Sequence, residues 1–231
     1  MQPELQSRTP YPASGELSLQ QNQVLRNTYL LLSLTMVPTV IGAMIGMSTG
    51  GIIMQHPIMS TLVMLGAVIG LQFAIAAFRN SGIGVVLLLG MTFLLGWWLG
   101  PLLTVALSLR NGPQLVGFAA AGTGAIFFIM AGIATTTKRD FSFMGKFLFV
   151  GMIVLLIAML ANMFLQIPAL ALTISALVIV VFSLFLLHDV SRIVNGGETN
   201  YIMATTGVFL SLFNIFANLL HLLMALAGQR D

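Results

Sequence analysis

Residues 189–221 read DVSRIVNGGETNYIMATTGVFLSLFNIFANLLH: a carboxylate closing an apolar run, a glycine pair, then a hydrophobic segment with polar residues at helical spacing. On a helix, Asn200, Ala204, Gly207, Ser211, Asn214, Asn218 and His221 recur every three or four positions and share one side. Val208, Phe209, Leu212, Phe213, Phe216, Leu219 and Leu220 occupy the other. In lipid a polar side chain seeks other protein groups, so this stripe predicts a last helix facing the middle of a bundle, with the others packed around it.

Composition fixes the solvent. Hydrophobic residues make up 58% of the 231 positions and charged residues 6%, and the mean hydropathy is +1.02. A soluble domain of this size cannot carry that surface, so the chain reads as an all-α, polytopic membrane protein. With zero cysteines, disulfides, thiolate metal sites and cysteine nucleophiles are excluded. The three histidines, His56, His188 and His221, have no metal-ligand spacing. The net charge of +3 sets nine Lys and Arg against six Asp and Glu; the basic residues, spread over loops, read as topology signals and contacts to anionic lipid headgroups, with no nucleic-acid partner.

Residues 1–26 are rich in Gln, Ser, Pro and Glu and read as a disordered cytoplasmic tail. They lack the layout of a signal peptide, so the tail is expected to be retained. Residues 27–231 form the membrane domain. Spanning needs roughly 20 apolar residues, and runs of that length cover 28–48, 57–78, 83–107, 114–136, 143–165, 168–188 and 201–227. Seven helices follow, six of them surrounding the last. In the third run Gly100-Pro101 follows Trp97-Trp98 and either kinks one long helix or ends it; the Trp pair reads as an interfacial anchor. An inside amino terminus places Arg8, Arg26, Arg79, Lys138, Arg139, Lys146 and Arg192 in the cytoplasm and leaves Arg110 and Arg230 outside. That bias predicts an N-in, C-out topology.

Among residues that could carry chemistry, Asp189 comes first. At the cytoplasmic edge of the sixth run it reads either as a proton-sensitive latch or cation ligand, with Arg79 or Arg192 as counter-charge, or as a solvated interfacial carboxylate. Gly196, Gly197 and Glu198 form a hinge into the last helix, with Thr199 or Asn200 as its N-cap. Ser211, Asn214, Asn218 and His221 act either as interhelical glue or as an aqueous path, and Gln72 and Asn162 are candidate partners for them. No nucleotide loop, zinc-protease motif, nucleophile elbow or paired intramembrane carboxylate occurs, so neither an enzyme nor a cofactor is expected.

The hinge at 196–202, Gly-Gly-Glu-Thr-Asn-Tyr-Ile, together with Asp189 and Leu210-Ser211-Leu212-Phe213-Asn214-Ile215-Phe216, resembles the signature of the Bax inhibitor-1 family. The likeness extends over residues 24–227, taking in Val24-Leu25-Arg26-Asn27-Thr28-Tyr29, Lys138-Arg139-Asp140-Phe141-Ser142-Phe143 and Asn162-Met163-Phe164-Leu165-Gln166-Ile167-Pro168, and is nearest to the proteobacterial YccA branch. The resemblance implies seven helices, six around the last, and two alternative functions. One is a modulator and slow substrate of an FtsH-type AAA membrane protease. The other is a pH-sensitive calcium or cation leak in which two aspartates share a proton and an arginine latches them. For the leak, Asp189 matches the first aspartate, making it a candidate calcium ligand, and Arg79 matches the arginine. Ser211 stands where the second aspartate is expected. A carboxylate beside a hydroxyl titrates alone and offers calcium one charge fewer than a coupled pair. The protease reading therefore leads.

Overall fold

The computed structural model describes residues 14–137 and 139–228. The helices are α1 (Ser14–Thr49), α2 (Gly51–Gln55), α3 (Pro57–Ala77), α4 (Gly82–Ser108), α5 (Gly112–Thr136), α6 (Gly145–Leu165), α7 (Pro168–Val194) and α8 (Tyr201–Gly228), with a 3-10 turn at Ser142–Met144 leading into α6. All but α2 are long and apolar enough to cross a membrane. The shortest of these, α3 and α6, have 21 residues each, which at about 1.5 Å per residue matches a hydrocarbon core about 30 Å thick. Large apolar side chains such as Phe73, Phe128, Phe147 and Phe164 are exposed. Water would penalise that surface; lipid does not.

One boundary differs from that read in the sequence. The first helix starts at Ser14, so residues 14–26 of the expected tail are helical; residues 1–13 lie outside the described residues. Val24, inside that stretch, is buried against Ile193 and Ala204, a contact between distant segments that local composition does not encode. Of the two alternatives at Gly100-Pro101, α4 takes the single long helix and runs unbroken through Pro101, with Gly100 packed on α1 at Gly46 and the proline against Gly50. Trp97 donates its indole N–H to Thr49 Oγ1 at 2.8 Å; it fastens two helices together in addition to any anchoring role. Helix α7 continues past His188 to Val194, along the apolar pattern of Val190, Ile193 and Val194, and so carries Asp189 within a helix.

The last helix packs against α1, α3, α4, α5 and α7, whereas α6 makes its principal contacts with α7. The packing therefore places five helices on α8, and α6 outside them. Both sides of α8 are covered: Ala204 and Ser211 on the polar stripe are buried, and so are Val208, Phe209 and Leu220 on the other side.

The closest helix pair is α1 with α4, which run parallel. Gly42 and Gly46 on α1, and Gly96 and Gly100 on α4, lie so near the facing backbone that an added Cβ would overlap it, at Phe93, Trp97, Thr39 and Gly46 respectively. Glycine at i and i+4 leaves a flat strip on each helix, and dispersion between the backbones replaces side-chain packing.

Four segments meet at one end of the bundle. The start of α1 packs on the α7–α8 turn, where Gln21 lies against Gly196. The α5–α6 loop docks on α7 through Phe141, whose N–H donates to Ser191 Oγ at 3.0 Å. The α3–α4 turn meets the cap of α8 through Asn200. Arg26, Arg79, Arg139, Lys146 and Arg192 belong to the segments gathered at this basic end.

Candidate functional site

Two reversals of the chain build the site at the basic end. Helix α7 stops because Gly196 takes φ +77°, a left-handed conformation that costs glycine nothing. The Gly197 N–H then donates to Arg192 O at 2.8 Å and the Gly196 N–H to Ile193 O at 3.2 Å, the paired bonds of a Schellman ending. Asn200 starts α8: its Oδ1 accepts the N–H of Ile202 at 3.0 Å and of Met203 at 3.1 Å. Glu198 accepts the Asn200 N–H at 3.0 Å, which places a negative charge at the positive end of a helix. Of the two cap candidates, Asn200 takes the role, so it belongs to the turn and not to the stripe along α8.

Between these elements lies a cavity of about 200 Å³ whose wall includes Gln72, Asp189, Arg192, Glu198, Thr206 and Gly207. Asp189 projects from α7 toward Gly207 on α8; a methyl group at position 207 would lie 2.7 Å from its Oδ2. Its Oδ1 is 2.9 Å from His188 Nδ1. The far side of that imidazole lies against Gly145 at the start of α6, where an added Cβ would be 2.8 Å from Nε2. Glycine thus makes room on both sides of the pair. Sequence reading singled out Asp189 and missed His188, since periodicity does not reveal that neighbouring side chains on a helix will bond to each other.

The counter-charges expected for Asp189 go elsewhere. Arg192 pairs with Glu198 at 3.3 Å and donates to Gly197 O at 3.2 Å. Arg79 is exposed and meets the site through its backbone, whose carbonyl accepts from Asn200 Nδ2 at 2.8 Å. Among the described residues, the only contacts between a carboxylate and a basic side chain are His188–Asp189 and Arg192–Glu198. Ser211 is buried one turn beyond Gly207, outside the wall of the cavity. No cluster of three or more His, Cys, Asp or Glu side chains suited to a metal ion occurs among the described residues, whereas calcium takes six to eight oxygens with carboxylates prominent among them.

The rest of the stripe is satisfied mainly within its own helix. Asn214 Nδ2 donates to Leu210 O and Asn218 Nδ2 to Asn214 O, both at 2.8 Å. His221 alone reaches another helix, with Nδ1 2.9 Å from Ser175 Oγ on α7. Asn162 does not join the stripe; its Oδ1 accepts the Ile167 N–H at 3.1 Å and closes the α6–α7 turn. Outside the membrane-spanning segments, Asp140 is held below the usual carboxylate range by hydrogen bonds from the Ser142 side chain and backbone, with a smaller contribution from nearby His188.

A sequence profile described as inhibitor of apoptosis-promoting Bax1 matches residues 21–229. A membrane protein of Vibrio cholerae is 41% identical over 211 residues, 91% of this chain and 93% of its own. The Escherichia coli protein named modulator of FtsH protease YccA is 40% identical over 205 residues, covering 89% of this chain and 91% of its own. A Pseudomonas aeruginosa protein is 38% identical over 208 residues, 90% of this chain and 91% of its own.

Proposed function

The chain belongs to the Bax inhibitor-1 family, and from that premise we propose that it is a multi-pass inner-membrane modulator of an FtsH-type AAA protease, acting as a slowly processed substrate. The carrying observation is the 40% identity, across 91% of its length, to the relative named as a modulator of that protease. The mechanism uses the two ends of the hydropathy scale. A polar amino-terminal stretch, 1–20, offers a pulling ATPase a point of engagement, and seven apolar helices resist extraction. A protease occupied by such a substrate turns over other clients more slowly. This reading places the basic end, and with it the amino terminus, in the cytoplasm, where positive residues accumulate.

Deletion of residues 2–20 is the test. The truncated chain is expected to persist longer and to stop protecting a second membrane client of the protease. Unchanged half-life together with unchanged client protection would discard the mechanism.

The cavity beside Asp189 supports a second reading, a proton-sensitive cation leak. Purified protein in liposomes should then pass calcium or protons in a pH-dependent way that Asp189→Asn alters. Flux equal to that of empty liposomes from pH 6 to 8 removes this reading.

A further inference from the structure

We infer that the parallel glycine seam between α1 and α4 is the mechanical lock that slows extraction of this chain from its amino terminus; this rests on the proposed role as a slow protease substrate.

The argument starts from where the force would act. Whatever pulls the amino terminus draws α1 first. At the basic end α1 is held by side-chain contacts, with Gln21 against Gly196 and Val24 beside Ile193 and Ala204. Toward its other end the contact changes in kind. Trp97 of α4 meets Gly42 through its backbone nitrogen and Gly46 through its carbonyl, and Gly46 in turn lies against Gly100. Sliding α1 along α4 would carry a residue with a Cβ to a point where the facing backbone leaves no room for one. Helix α1 must lift away from α4, and every backbone contact is lost together.

Lipid offers no hydrophobic gain for keeping two helices together, so such packing is what holds them. Two bonds act in the same direction at the far end of the seam: Trp97 Nε1 to Thr49 Oγ1 at 2.8 Å and Thr104 Oγ1 to Met47 O at 3.4 Å. Because the helices are parallel, pulling the start of α1 against the end of α4 loads the seam in shear. Helix α3 supplies the control within the same chain. Its Gly66 and Gly70 have the same spacing, yet an added Cβ at either would meet nothing within 4 Å.

The absence of native cysteine allows one tether at Asn111→Cys and a second at the amino terminus of the full chain in bicelles, so that magnetic tweezers shear α1 against α4. At constant force Gly46→Ala should separate about tenfold faster, within the range of a disrupted packing contact. Trp97→Phe, which keeps the seam and removes one bond, should show a smaller acceleration, and Gly66→Ala no change. Should Gly46→Ala fail to fold, Gly50→Ala, whose added methyl meets the Pro101 ring of α4 at 2.9 Å and so strains the end of the same seam more mildly, decides the matter against Gly66→Ala.

The same proteins, untethered, are then given to the membrane-anchored protease. Half-lives that fall in the order of the shear rates support the lock. Equal shear rates for all proteins overturn it. Faster shear with unchanged half-lives, while the protease still binds the chain, overturns it as well and leaves the proposed function standing. A wild-type chain that does not associate with the protease instead overturns the proposed function.

Discussion

Gly46 and Gly207 both omit a side chain where two helices meet, and different things occupy the space. At Gly46 the backbone of α4 closes in. At Gly207 the carboxylate of Asp189 does, with His188 at its other oxygen. The first contact is backbone against backbone and leaves no room for a side chain. The second borders a cavity of about 200 Å³, into which a short polar side chain can turn. One end of the bundle is therefore built to stay closed, and the other retains room for a group to move.

Gly46→Leu should separate the two regions most sharply. Overpacking against backbone is expected to cost about 3 kcal/mol, read as loss of folded protein in detergent titration. A variant as stable as wild type would mean that the seam yields like the cavity end. Asn200→Ala removes the cap of α8 and its bonds to the Arg79 carbonyl and Asn80, with an expected loss of about 1 kcal/mol in the same titration. Gly207→Ala should cost less than about 1 kcal/mol, because Asp189 can swing away. Its signature is a changed His188 ring-nitrogen NMR shift, and an unmoved shift would show that the pair is as fixed as the seam.

Gly66→Ala on the open face of α3 should stabilise by about 0.5 kcal/mol, the helix preference of alanine over glycine. The smallest effect concerns Asp140. Its pKa is depressed in the folded protein, so its hydrogen bonds to Ser142 are complete above the ordinary aspartate value of about 3.9 and are lost as pH falls through the lower folded value. The Ser142 amide shift should follow that protonation, and Asp140→Asn should abolish the change.

These variants also show where sequence reading stops. The seven spans were legible because run length and polarity are local properties. The α7–α8 reversal was legible for the same reason: Gly196, Glu198 and Asn200 perform there the chemistry their residue types favour. The seam was not. Gly42 with Gly46 and Gly66 with Gly70 share one spacing, and only the partner distinguishes a clasp from an open face. Amides carry the same ambiguity, since Asn214 and Asn218 can bond across to another helix or back to their own, and here they bond back. Arg79 was expected by its charge and contributes its carbonyl, which no residue pattern announces.

The partner that closes over Gly42 and Gly46 is the third span to be synthesised, not the second. Roughly 50 residues separate Gly42 from Gly96, which at about 5–20 residues per second leaves α1 without its mate for several seconds. During that interval its glycine strip is open to lipid and to other membrane chains. Biogenesis therefore has a vulnerable window that the finished bundle conceals, and it closes when α4 arrives.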